Sequence, residues 1–130
     1  MAEQFAILIV DDEEIILDLY SNILKRAYQK VFTAQNGLDA LNILKKEKIH
    51  LIISDMRMPF MDGNRLTRAV RLSHPDIKII LTTGKALEEN ERDDMLKLGV
   101  SYFLYKPTKT DELLKYAKDL EGKCNLSDSL

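Results

Sequence analysis

The chain has 130 residues, 45% of them hydrophobic and 31% charged, the balance of one soluble globular domain with no room for two of ordinary size. A chain this long buries roughly two-thirds of its unfolded surface, so it needs neither disulfides nor a structural metal. With 19 Lys and Arg against 21 Asp and Glu, for a net charge of -2, it lacks the basic excess that condenses on nucleic acid or an anionic membrane. A free-standing DNA-binding module is thereby excluded.

Residues 5–10 form a short apolar run, read as a strand buried on both faces. Asp11, Asp12, Glu13 and Glu14 stop it and no basic residue precedes it, so it is not expected to be a signal peptide. Ile16, Leu19, Tyr20, Ile23, Leu24 and Ala27 then repeat at three and four, as on a helix. Residues 31–34 make a less apolar strand, suited to a sheet edge, and after Asn36-Gly37 the helical stripe Leu38, Leu41, Leu44 follows. A strand over 51–53 leads through Asp55 and the Asp62-Gly63 turn to a helix carrying Leu66, Ala69 and Val70.

The run 77–81, interrupted by Lys78, is the fourth strand. From 88 to 94 there is no apolar residue, so the helix there has little to bury and is expected to be weakly anchored. Leu98-Gly99 ends it, 102–105 form the fifth strand, and Leu113, Leu114, Ala117 and Leu120 mark the last helix. The one cysteine, Cys124, falls in a polar tail and has no partner for an internal disulfide. No stretch approaches the roughly 18 apolar residues needed to cross a bilayer, and a cytoplasmic location is expected.

Five strand-helix alternations predict a parallel sheet with helices on both faces, because parallel strands need a crossover that a helix supplies. The expected fold is α/β, a flavodoxin-like (βα)5 three-layer sandwich of strand order 2-1-3-4-5. Ligands in such sheets bind beyond the carboxyl ends of the strands, at the switch point between the first and third.

The residues leaving those ends are Asp11-Asp12, Asp55, Thr82-Thr83-Gly84 and Lys106-Pro107. Two carboxylates about 4 Å apart repel by on the order of 4 kcal/mol at an effective dielectric near 20, so three together require cations. Lys106 is one, and a hard divalent ion with oxygen ligands, Mg²⁺ rather than zinc, suits the remainder. Taken singly, each residue has a plainer reading. Asp12 serves as well as a helix N-cap, Asp55 as a loop acid, Thr83 as a turn hydroxyl and Lys106 as a solvated lysine. What outweighs those readings is their arrival together at one end of four separate strands.

Over residues 5–121 the sequence resembles the receiver domains of two-component response regulators. The most specific stretch is Asp55-Met56-Arg57-Met58-Pro59-Phe60-Met61-Asp62-Gly63, with Asp11-Asp12 after Ile7-Leu8-Ile9-Val10, Thr83, and Lys106-Pro107 in the same order. The resemblance implies that Asp55 is the phosphoacceptor, taking a phosphoryl group from a histidine kinase or histidine phosphotransfer protein. It implies Mg²⁺ held by Asp12 directly, by Asp11 through water, by Asp55 and by the backbone carbonyl of Arg57. Lys106, the Thr83 hydroxyl and the Gly84 amide would take the phosphoryl oxygens, and Lys106-Pro107 would be cis.

Thr83 and Phe103 match the switch positions, Phe103 standing where tyrosine is common. The output face would be the fourth helix, fifth strand and fifth helix, with Lys85, Phe103 and Lys115 as rim contacts to a downstream protein or domain, or to a second copy in a homodimer. Arg57 and Lys85 flank the path of attacking water and are expected to lengthen the life of the aspartyl phosphate.

Rival readings fit less well. A haloacid dehalogenase-type phosphatase wants a second Asp two residues after the first, where Arg57 stands. A flavodoxin-like electron carrier wants a Ser/Thr/Gly-rich loop after the first strand, where four acids oppose an anion. A receiver that works without phosphorylation does not need the full set of site residues present here. The receiver is thus expected over 1–121, a phosphoacceptor rather than an enzyme, with 122–130 as a polar tail or the start of a linker in a longer regulator or hybrid kinase.

Overall fold

The structure, a computed structural model, describes residues 3–124 and 126. Strands and helices alternate as β1 (Ala6–Val10), α1 (Glu14–Leu24), β2 (Lys30–Ala34), α2 (Gly37–Lys46), β3 (Leu51–Asp55), α3 (Gly63–Ser73), β4 (Lys78–Thr83), α4 (Glu89–Lys97), β5 (Tyr102–Tyr105) and α5 (Thr110–Gly122). The sheet is parallel throughout, in the order β2-β1-β3-β4-β5. This is the flavodoxin-like sandwich that the alternation predicts.

Alternate residues of the central strands feed two cores. Ala6, Leu8, Val10, Ile52, Ile79 and Leu81 pack under Ala40 and Leu44 of α2, Leu66 and Val70 of α3, and Met95 of α4. Ile7, Ile9, Leu51, Ile53 and Ile80 pack under Leu17, Tyr20, Ile23 and Leu24 of α1 and Leu113, Ala117 and Leu120 of α5. Burial on both faces explains why these strands read as continuous apolar runs. β2 lies at one edge and is only partly covered.

Departures from the sequence reading have physical causes. β3 and β4 run on through Ser54-Asp55 and Thr82-Thr83, which are polar yet buried and paired in the ladder. An apolar-run criterion stops short where a strand delivers polar groups to a site. Leu19 and Leu38, counted in helical stripes, are 48% and 59% exposed, while Leu17 and Ala40 face the core instead.

The N-cap of α1 is Glu13, not Asp12, and it makes no side-chain cap bond; Asp11 Oδ1 accepts the Glu13 amide at 2.9 Å. Asp12 therefore does not cap the helix, and Glu13 occupies the cap position without a side-chain bond. α4 buries only Met95, and one such side chain contributes about 1.5–3 kcal/mol, which is little for a whole helix.

Gly63, the first residue of α3, allows that helix to start against the end of β3. A Cβ there would sit 2.7 Å from the Asp55 carbonyl oxygen and 2.9 Å from Met56 Cα. The Asp62 side chain caps the same helix through the Arg65 amide at 2.9 Å. Past α5, Cys124 and Leu126 pack against the α1/α5 core, so the chain stays folded beyond residue 121; residues 125 and 127–130 of the expected tail lie outside the described residues.

Candidate functional site

β1 and β3 are adjacent because the chain builds β2 on one side of β1 and then crosses to the other. This crossing brings the residues after Val10 beside the last residue of β3. Asp11 is 1% exposed; its amide donates to the Ala34 carbonyl at 3.1 Å, and its Oδ1 is held by the Glu13 amide. Asp12 is exposed and Asp55 is 6% exposed. Asp11, Asp12 and Asp55 each offer an oxygen, all within 4.8 Å of one another.

Lys106 follows β5, and its amide donates to the Thr83 carbonyl at 2.8 Å. Its Nζ lies 2.8 Å from Asp11 Oδ2, 3.4 Å from Asp55 Oδ2 and 4.0 Å from Glu13 Oε2. The Lys106-Pro107 peptide is cis.

Burial pushes the Asp55 carboxyl above its ordinary range, and the charge of Asp11 adds to this; Lys106 and the Arg57 amide pull the other way. Burial lowers Lys106, but the hydrogen bond to Asp11 and the charges of Asp55 and Asp11 outweigh it and hold the ammonium above its ordinary value. Two unit charges 4.8 Å apart repel by about 3.5 kcal/mol at a dielectric near 20. One ammonium against three carboxylates leaves the cluster short of positive charge.

An all-oxygen donor set of this kind fits a hard divalent cation. Neither histidine contributes: His50 accepts the Ala6 amide at the opposite end of the sheet, and His74 is the C-cap of α3.

Thr83 closes β4 and is 1% exposed. Its hydroxyl donates to the Lys85 carbonyl at 2.8 Å and accepts the Lys85 amide at 3.3 Å, an arrangement turned into the β4–α4 loop. Gly84 is exposed, with open space where a Cβ would stand. The Arg57 amide lies 3.4 Å from Asp55 Oδ1, but its guanidinium reaches α4, where it meets both Glu91 oxygens at 3.0 and 3.5 Å. Lys85 is exposed. Phe103 is half-buried against the α2/α3/α4 core, and Arg92 of α4 sits 4.5 Å above its ring.

Residues 7–118 match the family model of the response regulator receiver domain. The chain belongs to that family. The receiver is 37% identical over 111 residues to a sensor histidine kinase, RcsC of Salmonella typhi, covering 85% of this chain but 12% of the kinase. It is 33% identical over 107 residues to sporulation initiation phosphotransferase F of Bacillus subtilis, covering 82% of this chain and 86% of that one. Among solved structures, chemotaxis protein CheY4 of Vibrio cholerae superposes with a TM-score of 0.84 at 29% identity, over 91% and 99% of the two chains. As a receiver, the chain is a phosphorylation-dependent signalling domain rather than a conventional enzyme, and receivers work with kinases or phosphotransfer proteins and with outputs. No helix among the described residues is long and apolar enough to cross a membrane.

The receiver's structure brings together Asp11, Asp12, Asp55 and Lys106, and sets Thr83 at the end of β4 and Gly84 and Arg57 on the adjoining loops. The sequence reading did not foresee Glu13 near Lys106, the Arg57–Glu91 pair, or a hydrogen bond behind the site from Tyr20 to Thr108. Only the last carried a local signal: Tyr20 is the aromatic with a polar tip in an otherwise aliphatic stripe, and such a hydroxyl seeks a partner when buried. Burial raises that phenol, with Asp11 and Asp55 adding to the effect and Thr108 and Lys106 opposing it, so it lies within electrostatic reach of the cluster.

Proposed function

We propose that Asp55 accepts a phosphoryl group from a phosphohistidine and that this changes the partner-binding surface of the receiver. The observation that carries this reading is a nearly buried Asp55 facing the Lys106 ammonium at 3.4 Å, inside a group of three carboxylates at the switch point. An Asp55 oxygen attacks phosphorus, the P–N bond breaks, and the imidazole leaves with the bonding pair. In a loose phosphoryl-transfer transition state, the protein's task is to hold these groups in line and neutralise charge on the equatorial oxygens.

Lys106 pairs with one such oxygen. The Thr83 hydroxyl releases the Lys85 carbonyl to reach another, and the exposed Gly84 amide is available to it as well. Asp11, Asp12, Asp55 and the Arg57 carbonyl are the groups to hold Mg²⁺, which would supply the positive charge the cluster lacks. Acceptance from small phosphodonors and slow self-hydrolysis belong to the same chemistry.

A protein donor suits the surroundings of the mouth. Ile15 on the first turn of α1 and Phe60 on the β3–α3 loop are 81% and 91% exposed, large apolar side chains on the two segments that leave the acidic cluster. Inward movement of Thr83 frees space that Phe103 can take, which would loosen Arg92 and the lightly anchored α4. A downstream protein or domain, or a second copy, would read that face, with Lys85, Phe103 and Lys115 at its rim. We assign the body of the receiver to 1–121, with Gly122 ending its last helix and Cys124 and Leu126 packed against it, the rest of 122–130 as tail or linker, in the cytoplasm.

Incubation with Mg²⁺ and acetyl phosphate, followed by intact mass, tests the assignment. The parent should gain one phosphoryl group and Asp55→Ala none. An unshifted parent, or an equal shift in the variant, would sink it.

A further inference from the structure

The Tyr20–Thr108 hydrogen bond belongs to the reacting side of the molecule, although neither residue touches the carboxylates. Tyr20 is 2% exposed, packed in the α1/α5 core, where a phenylalanine would fill the same space. Its hydroxyl is what distinguishes it, and that hydroxyl bonds Thr108 Oγ1 at 3.0 Å across 88 residues of sequence. Thr108 is itself 9% exposed and follows Lys106 with only Pro107 between.

Lys106 reaches Asp11 and Asp55 at the end of a flexible four-carbon stem. Its ammonium can reach both carboxylates only from a backbone held within the length of that stem. On the upstream side, the Lys106 amide is tied to the Thr83 carbonyl at 2.8 Å. On the downstream side, α5 begins at Thr110 with Lys109 as its N-cap, which makes no side-chain cap bond. Among the described residues, the hydrogen bond from Tyr20 is thus the side-chain tie on the linker between Lys106 and α5. It anchors that linker to α1, whose own N-terminal turn adjoins Asp11 and Asp12.

We propose that Tyr20 is a positioning residue for phosphoryl transfer at Asp55, holding through Thr108 the backbone from which Lys106 reaches over the carboxylates. The proposal rests on the function assigned above. It differs from a packing role in what it predicts: removing the hydroxyl while keeping the ring should disturb the lysine and leave the metal ligands in place. Small misplacements of a group that acts in the transition state lower the rate more than they weaken ground-state binding.

The test uses the full chain, acetyl phosphate and MgCl₂, with phosphorylation followed by intact mass and Mg²⁺ affinity by calorimetry. Tyr20→Phe and Thr108→Val should each lower the rate at saturating acetyl phosphate by roughly fivefold or more. The half-saturating acetyl phosphate concentration should stay near the parental value, and Mg²⁺ should bind no more weakly than to the parent, because Asp11, Asp12 and Asp55 stay in place while the competing ammonium is loosened. The double variant should be no slower than either single one, and Thr108→Ser, which keeps the hydroxyl, should restore most of the rate. Leu44→Ala, in the other core, should lower the melting temperature without lowering the rate.

Parental rates in both Tyr20→Phe and Thr108→Val would overturn the proposal, as would losses that multiply in the double variant or an equal loss in Leu44→Ala. A parent that takes up no phosphoryl group overturns the assigned function and the positioning role with it. A parent that does, with Tyr20→Phe keeping pace, overturns the positioning role alone.

Discussion

Asp55→Asn should make the metal-free protein more stable, although it removes the residue proposed above as the phosphoacceptor. The Asp55 carboxylate is 6% exposed, and its two donors, Lys106 Nζ and the Arg57 amide, both stand at 3.4 Å, longer than the 2.7–2.9 Å of good charge-assisted bonds. Asp11, within 4.8 Å, repels it by about 3.5 kcal/mol at a dielectric near 20. Lys106 at 3.4 Å returns about 5 kcal/mol on the same scale, but that ammonium is shared with Asp11, and Asp12 adds a further, solvent-screened repulsion. The charge terms therefore largely offset one another, and incomplete solvation of a buried carboxylate remains, worth about 1–2 kcal/mol.

Thermal unfolding at pH 7 in chelator should place Asp55→Asn about 3–8 °C above the parent. The sign with pH follows from the raised carboxyl. A folded-state value above the ordinary 3.8 means that the folded protein binds the proton more tightly. The penalty is then absent below 3.8 and grows as pH rises through the folded value, so the advantage of the variant should vanish in acid. Magnesium should narrow the gap. At ten times its dissociation constant the parent gains about 1.4 kcal/mol, and the variant gains less because it lacks one ligand charge. Equal stability of the two proteins in chelator, or an equal rise of both with Mg²⁺, would refute the reasoning.

Phe60 has a φ of 70° and is 91% exposed, so Phe60→Asn should stabilise by about 1 kcal/mol, read in urea, because asparagine accepts the left-handed region more readily. Gly63→Ala should cost about 1–3 kcal/mol, since the new methyl meets the Asp55 carbonyl and Met56 Cα, which are backbone and cannot turn aside. Arg57→Asn should shorten the half-life of the aspartyl phosphate by roughly two- to fivefold, the scale of one exposed charge contact, whereas Glu91→Gln, which frees the guanidinium from α4, should lengthen it. A parental half-life in Arg57→Asn would remove Arg57 from the hydrolysis path.

The contact from Arg57 to Glu91 also bears on how the site communicates. A loop residue two positions beyond Asp55 is tied to a helix that buries only Met95, and the next residue of that helix, Arg92, rests on Phe103. A phosphoryl group on Asp55, as proposed above, would compete with Glu91 for Arg57. Exposed ion pairs contribute little to stability, which suits a contact that is to be exchanged.

The sequence by itself determined the architecture, because strand burial on two faces and helix amphipathicity are periodic properties. Short runs such as Ile7-Leu8-Ile9-Val10, alternating five times with amphipathic helical stripes, point to a parallel sheet covered on both sides. It also supplied the candidate residues, since Asp11, Asp12, Asp55, Thr83 and Lys106 all stand at the carboxyl ends of recognisable strands. It did not determine where β3 and β4 stop, because Ser54, Thr82 and Thr83 are paired by backbone bonds to which side-chain hydropathy is blind.

Only the tertiary structure decided which partners the polar groups take. That Lys106 bridges Asp11 and Asp55, that Arg57 is drawn to Glu91 and that Tyr20 holds Thr108 are facts about distances of a few ångströms between residues far apart in the chain. Hydrogen bonds and ion pairs depend on such distances, and periodicity along the chain does not contain them.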